Sequence, residues 1–172
     1  MSTERILVVY YSRTGTTRKV AEYIREALGD ELEEIVDKKN RSGPIGWLFA
    51  GKDAGEKNLT EIEAPVYDPF EFDLIVIGSP VWNDTVSTPI RTYLTQNKER
   101  LHRTALFTTQ GNEETNAIKD MMEILNEPPV ESIQLTKKQD VETGEYIQKL
   151  EAFLGKIRTG VTTPDLELLE VC

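Results

Sequence analysis

At 172 residues, with 30 acidic against 20 basic side chains and a formal charge of −10, the chain has room for one domain with a substantial core and not for two comfortable ones. The charge argues against binding to a nucleic-acid backbone, which would be repelled, and the single cysteine, Cys172, leaves no intramolecular disulfide or cysteine-rich metal site. No apolar run approaches a membrane span, and MSTERILVV lacks the basic start and long apolar run of a secretory signal, so a cytoplasmic protein without membrane insertion is expected.

The first element is an apolar strand at 5–11. It runs directly into Ser12, Arg13, Thr14, Gly15, Thr16 and Thr17, after which Val20, Ile24, Ala27 and Leu28 recur at helical spacing over 16–28. A strand opening into a helix in this way offers a phosphate three things at once. These are the unpaired N–H groups of the first turn, the positive end of the helix dipole, and hydroxyl donors on Ser12, Thr14, Thr16 and Thr17. Gly15 supplies the tight turn, and Arg13 is the only cation inside the loop. An ordinary helix cap needs one such hydroxyl; four around one glycine exceed it. Neither Gly-x-Gly-x-x-Gly nor a Gly-Lys-Ser/Thr ending occurs here, which argues against a dinucleotide held in the usual way and against nucleoside-triphosphate hydrolysis. A mononucleotide or a smaller phosphate ester remains.

A shorter strand follows at 32–36. The connection at 40–72 is too long for a simple loop, and within it 44–54 (PIGWLFAGKDA) reads as a short helix, with Trp47, Leu48 and Phe49 expected to pack on the sheet. The run 73–78 (DLIVIG) is a strand of the kind covered on both faces. Then come a helix at 89–101, a strand at 104–109, and a helix at 114–125 stopped by Pro128 and Pro129. A fifth strand at 130–135 precedes a last helix at 145–157. Residues 1–158 read as one domain and 159–172 as a tail whose Leu166, Leu168, Leu169 and Val171 could dock on the domain or on a second subunit, or stay loose.

Strands alternating with helices imply right-handed crossovers and a mainly parallel sheet, here a three-layer, doubly wound, five-stranded α/β domain. In such sheets ligands sit at the carboxyl ends of the strands, where strand order reverses. That selects the loops beginning at Ser12, Ser79 and Thr109. The second of them carries Ser79, Pro80, Val81, Trp82, Asn83, Asp84 and Thr85; a tryptophan there is costly to expose unless something flat covers it, as a planar aromatic ligand would. The third, Thr109, Gln110, Gly111 and Asn112, offers amide and hydroxyl groups to the edge of a heterocycle. No catalytic or metal-binding constellation stands out, and the one histidine, His102, reads as surface structure.

On YSRTGTTRKVA (11–21) and GSPVWNDTVSTPIRTYL (78–94), the chain resembles the flavodoxin family over residues 5–157. The resemblance implies the strand order 2-1-3-4-5 and a bound flavin mononucleotide (FMN). Ser12 through Thr17 would take its ribityl phosphate, and Trp82 would stack on the isoalloxazine ring. Asn83 and Asp84 would flank the N5 edge, and Thr109 to Asn112 would face the pyrimidine end. Two positions depart from the family pattern. The third loop lacks a second aromatic, which leaves the outer flavin face open or covered by Trp47, Phe49, the tail or another subunit. Asn83 stands where many members have glycine in a turn that reorients on reduction; Asn tolerates positive φ less freely.

The function implied is a flavodoxin-like electron-transfer protein shuttling electrons between larger redox proteins. The alternatives are an FMN-dependent NAD(P)H:quinone oxidoreductase or flavin reductase of the same fold, and a non-redox binding module that keeps the fold.

Overall fold

In the computed structural model, which describes residues 4–28, 31–111 and 114–159, β1 (Ile6–Tyr10) leads into α1 (Thr16–Leu28), then β2 (Glu31–Glu34) and α2 (Gly43–Gly55). Next come β3 (Leu74–Trp82), β4 (Thr85–Val86), α3 (Thr88–Asn97), β5 (Thr104–Gln110), α4 (Ala117–Ile124), β6 (Glu131–Thr136) and α5 (Tyr146–Thr159). Asn112 and residues 160–172, with the tail's apolar positions and Cys172, lie outside the described residues.

The sheet runs β2-β1-β3-β5-β6, with all these neighbours parallel. This is the expected five-strand order with one small strand added. The addition corrects the second loop. Instead of ending near Gly78, β3 continues to Trp82 and folds back through Asn83 and Asp84 onto β4, with Trp82 opposite Thr85. Both turn residues have positive φ, 47° and 66°, the condition for the tight two-residue hairpin that suits strand twist. Asn and Asp reach that region because their short polar side chains relieve its cost.

Alternation along β1 explains its unbroken apolar run. Leu7 and Val9, with Ile75 and Ile77, pack with Ile90, Tyr93 and Leu94 of α3 and Met121 of α4. Ile6, Val8 and Tyr10, with Leu74 and Val76, pack with Val20 and Ile24 of α1 and Leu150, Phe153 and Leu154 of α5. A strand covered on both faces buries every side chain.

Gly78 sits opposite Phe107 of β5, and a Cβ there would lie 1.9 Å from the Phe107 ring. Phe107 is fully buried and has nowhere to swing. Gly78→Ala is therefore expected to destabilise the fold by about 1–3 kcal/mol through overpacking, read as a lower urea midpoint at unchanged slope.

The helix anticipated at 44–54 forms, but with the opposite face inward. Gly46, Ala50 and Ala54 are buried, whereas Ile45, Trp47, Leu48 and Phe49 are 71%, 64%, 65% and 46% exposed. The cause is a close backbone approach: a Cβ on Gly46 would sit 2.2 Å from the Arg41 carbonyl carbon. Gly46 leaves no room for a side chain there, and Ala50 and Ala54, four and eight residues on, join the core on the same face, so the large apolar residues are turned outward.

Candidate functional site

The carboxyl ends of β1, β3 and β5 open on a cleft of about 240 Å³. It is lined by Arg13, Thr14, Thr16 and Thr17, by Pro80, Val81 and Trp82, and by Thr109, Gln110 and Gly111. Thr17 Oγ1 and Thr109 Oγ1 lie 2.7 Å apart in a buried hydrogen bond that pins the first loop to the third. Ser12 Oγ accepts from the Gly15 N–H at 3.0 Å, and Gly15 has φ of 95°. Ser12 and Gly15 thus shape the loop, while Thr14 and Thr16 line the cleft beside the open first turn of α1. Arg13 donates from Nε to the Arg41 carbonyl at 2.9 Å and from its guanidinium to the Gly43 carbonyl at 3.2 Å, tying the loop to the start of α2.

The remaining predicted residues divide. Ser79 is buried beneath the cleft, its hydroxyl 2.9 Å from Ser87 Oγ and 2.8 Å from the Pro80 carbonyl. Thr85 is buried too, donating to Asp120 and accepting from Arg91. Asp84 turns away to Asn116, accepting from its Nδ2 at 2.5 Å. Asn83 borders a second cleft, of about 440 Å³. None of these four lines the first cleft; they hold and shape the hairpin that does.

Trp82 is only 9% exposed. Tyr11 meets it edge-on with ring centroids 5.4 Å apart, and the Arg41 guanidinium lies 5.4 Å from its ring centroid. The cost of an uncovered tryptophan is thus largely met from within the protein.

Of two further cleft residues, Lys137 fell outside the sequence reading of the site, whereas Trp47 entered it only as one candidate cover of the outer flavin face. Lys137, from the turn after β6, lines the first cleft together with Thr14, Thr16 and Thr17, and Trp47 of α2 lines both clefts. The turn at Lys137–Val141 is a single π-type turn, held by buried Asp140, whose Oδ2 accepts from the Thr136 N–H at 2.7 Å and its hydroxyl at 2.9 Å. Such turns often mark functional positions. Nothing local in TKKQD distinguishes Lys137 from Lys138; only the register of β6 beside β5 brings it to the cleft.

Behind Trp82 lies a buried charge cluster. Arg41 Nε donates to Asp37 Oδ2 at 2.5 Å and Nη1 to Asp53 Oδ2 at 2.8 Å, with Asp53 also held by Lys39 at 2.8 Å. Burial, then the charge of Asp37, pushes the Tyr11 hydroxyl up to about 12. Burial opposes a charge on Asp53, but hydrogen bonds from Lys39 and Arg41 outweigh it and hold the carboxyl at about 2, below the ordinary 3.8. A lowered folded-state pKa gives stability that is present above the unfolded value and lost as pH falls through the folded one. The advantage of wild type over Asp53→Asn should therefore be about 2 kcal/mol at neutral pH. In urea titrations it should fade between about pH 4 and pH 2.

Fold and site together define a doubly wound α/β protein with a ligand cleft at the strand switch and a helix N-terminus at one end of it. The flavodoxin family model matches residues 5–139, and the chain belongs to that family. A flavoprotein of Lactobacillus acidophilus NCFM, solved in complex with FMN, is similar at 27% identity and a TM-score of 0.67, over 84% of this chain and 99% of that one. A protein of Bacteroides eggerthii described as a flavoprotein shares the fold at 20% identity and a TM-score of 0.65, over 88% and 98% of the two chains. So does an NADH:FMN oxidoreductase (EMOB) in its apo form, at 14% and 0.57, over 94% and 92%. No curated protein matches in sequence. No helix among the described residues is long and apolar enough to cross a membrane.

Proposed function

We propose that this flavodoxin-family protein binds FMN noncovalently in the first cleft and works as an electron-transfer protein between larger redox partners. The observation that carries the reading is the make-up of that cleft. Thr14 and Thr16 stand beside a helix N-terminus at one end, and Val81, Trp82, Gln110 and Gly111 from two neighbouring strand ends stand at the other. The fit can be tested on this chain's own atoms. The Thr17–Thr109 bond and the Ser12–Gly15 bond preorganise the loop before any ligand arrives, so little ordering has to accompany binding. A doubly charged phosphate is matched by fixed dipoles, with Lys137 as a cation lining the same cleft.

When bound, FMN supplies the transfer of one or two electrons. The protein's own residues position it and shut water away: the first loop anchors the phosphate, and the β3–β4 hairpin and the third loop hold the ring from two sides. Trp47, which lines the cleft and is 64% exposed, is among the described residues the side chain best placed to cover the face that the aromatic-free third loop leaves bare. Asp84, held by Asn116, supports the hairpin at the edge implied for N5.

A second reading, an FMN-dependent reductase of small molecules, draws support from the second cleft, which shares Trp47, Val81 and Trp82 with the first. Stopped-flow mixing of the FMN-loaded protein with NADH and NADPH separates the two. Slow or absent bleaching of the flavin band is expected of the carrier, and bleaching within the mixing time scale overturns it in favour of the reductase. A protein that purifies colourless and takes up no FMN overturns both.

A further inference from the structure

We propose that Arg13 is a positioning residue for the flavin ring rather than a ligand of the phosphate: its side chain ties the first loop to the two tryptophans of the cleft. The inference rests on the FMN reading for the identity of the ring, and deepens it by separating the work of Arg13 from that of the hydroxyls around it. Three observations carry it.

The first is where the guanidinium is engaged. Nε donates to the Arg41 carbonyl at 2.9 Å and Nη2 to the Gly43 carbonyl at 3.2 Å. Among the described residues, no other hydrogen bond joins the loop at 12–17 to the chain at 41–43. Carbonyls carry no net charge to neutralise. What they take from arginine is its planar fork, with N–H groups fixed at one angle, which the compact ammonium of lysine does not reproduce.

The second is the start of α2. Ser42, just before the helix, makes no side-chain capping bond; its hydroxyl goes to Asn40 Oδ1 at 2.6 Å instead. The first turn therefore lacks its usual local anchor, and Arg13 holds it from outside. In an α-helix the Gly43 carbonyl also accepts from the N–H four residues on, which is that of Trp47. One acceptor thus meets both the arginine and the turn that carries the indole lining both clefts.

The third is the other indole. Arg41, whose carbonyl receives Nε, lays its own guanidinium 5.4 Å from the Trp82 ring centroid, and its side chain is held by Asp37 and Asp53. Against the same carbonyl stands Gly46, where a Cβ would come within 2.4 Å of the oxygen. Packing this close leaves no slack, so movement at residue 41 reaches α2 and Trp82 together. Removing the fork loosens both indoles, and the part of the ligand that depends on them is the ring.

The test compares two ligands that share the ring and differ in the phosphate. The full chain, freed of flavin, is titrated with FMN and with riboflavin by flavin fluorescence in wild type, Arg13→Gln and Arg13→Lys. Urea midpoints and the near-ultraviolet circular dichroism of the two tryptophans are recorded beside them. Both variants should bind FMN and riboflavin about tenfold more weakly, with the ratio of the two affinities unchanged. Their indole circular dichroism should change while they remain folded.

A loss confined to FMN, with Arg13→Lys close to wild type, makes Arg13 a phosphate ligand by charge; it overturns the proposal and leaves the cofactor reading standing. Unchanged affinities, or recovery of both in Arg13→Lys, overturn it too, since no fork is then needed. A loss for both ligands that vanishes when sucrose restores the urea midpoint makes Arg13 a stability residue alone and overturns it as well. Wild type that takes up neither ligand overturns the cofactor reading, and this proposal with it.

Discussion

Arg41→Met should lower the free energy of unfolding by about 3–5 kcal/mol, the usual cost of removing one partner from a buried ion pair. The Arg41 and Asp37 side chains are each only 2% exposed. Once the guanidinium is gone, Asp37 keeps the Lys39 N–H and the Thr60 hydroxyl, both on Oδ1, while Oδ2 loses Arg41, its only partner among the described residues. An unpaired buried carboxylate is the expensive species. The double variant Asp37→Asn/Arg41→Met should therefore recover much of the loss in a urea melt. A double-mutant cycle with no coupling would show that the pair does not carry this stability. Because the same guanidinium lies over Trp82, tryptophan emission should change in the single variant even under conditions where it remains folded.

The second large effect concerns affinity. Hydrogen bonds to charged groups contribute about 1.5–3 kcal/mol each, so riboflavin, which lacks the phosphate, should bind at least about 100-fold more weakly than FMN. Lys137→Ala should weaken FMN by about tenfold or more and leave riboflavin unchanged, since only the phosphate answers to that cation. Titrations followed by flavin fluorescence read both ratios. Equal losses for the two ligands would place Lys137 against the ring rather than the phosphate. Raised salt should shrink the FMN difference, because the lysine contribution is partly screened at an open cleft.

Helix α1 falls at 16–28 as its periodicity implies, because both its capping loop and its apolar stripe are local features. The strand at 73–78 was legible in type but not in extent. The stretch from Ser79 to Asp84 looks like one turn, Pro and Asn-Asp included; only Asn83 and Asp84 are the turn, and Ser79 to Trp82 become strand because β5 pairs with them through Ser79 and Pro80 and β4 folds back on Val81 and Trp82. Helix α2 was legible as a helix and misread in orientation. Its apolar residues say that something must cover them; Gly46 against Arg41 decides that the sheet does not.

The first loop shows the same division at the site. Its four hydroxyls read as equivalent donors in sequence, yet the structure uses Ser12 to shape the turn and Thr17 to reach Thr109, leaving Thr14 and Thr16 along the cleft. The sequence alone therefore determined the layered α/β architecture, the three strand-end loops that line the cleft, and the hydroxyl-rich character of the first loop, since these follow from periodicity and from short-range capping chemistry. Tertiary structure decided that Trp82 is sheltered by Tyr11 and Arg41, that Trp47 stands free between two clefts, and that Lys137 joins the cleft from the far strand. Each of those outcomes depends on contacts between residues about 30 to 120 positions apart in the chain, and no local pattern of side chains encodes the packing of backbones at that range.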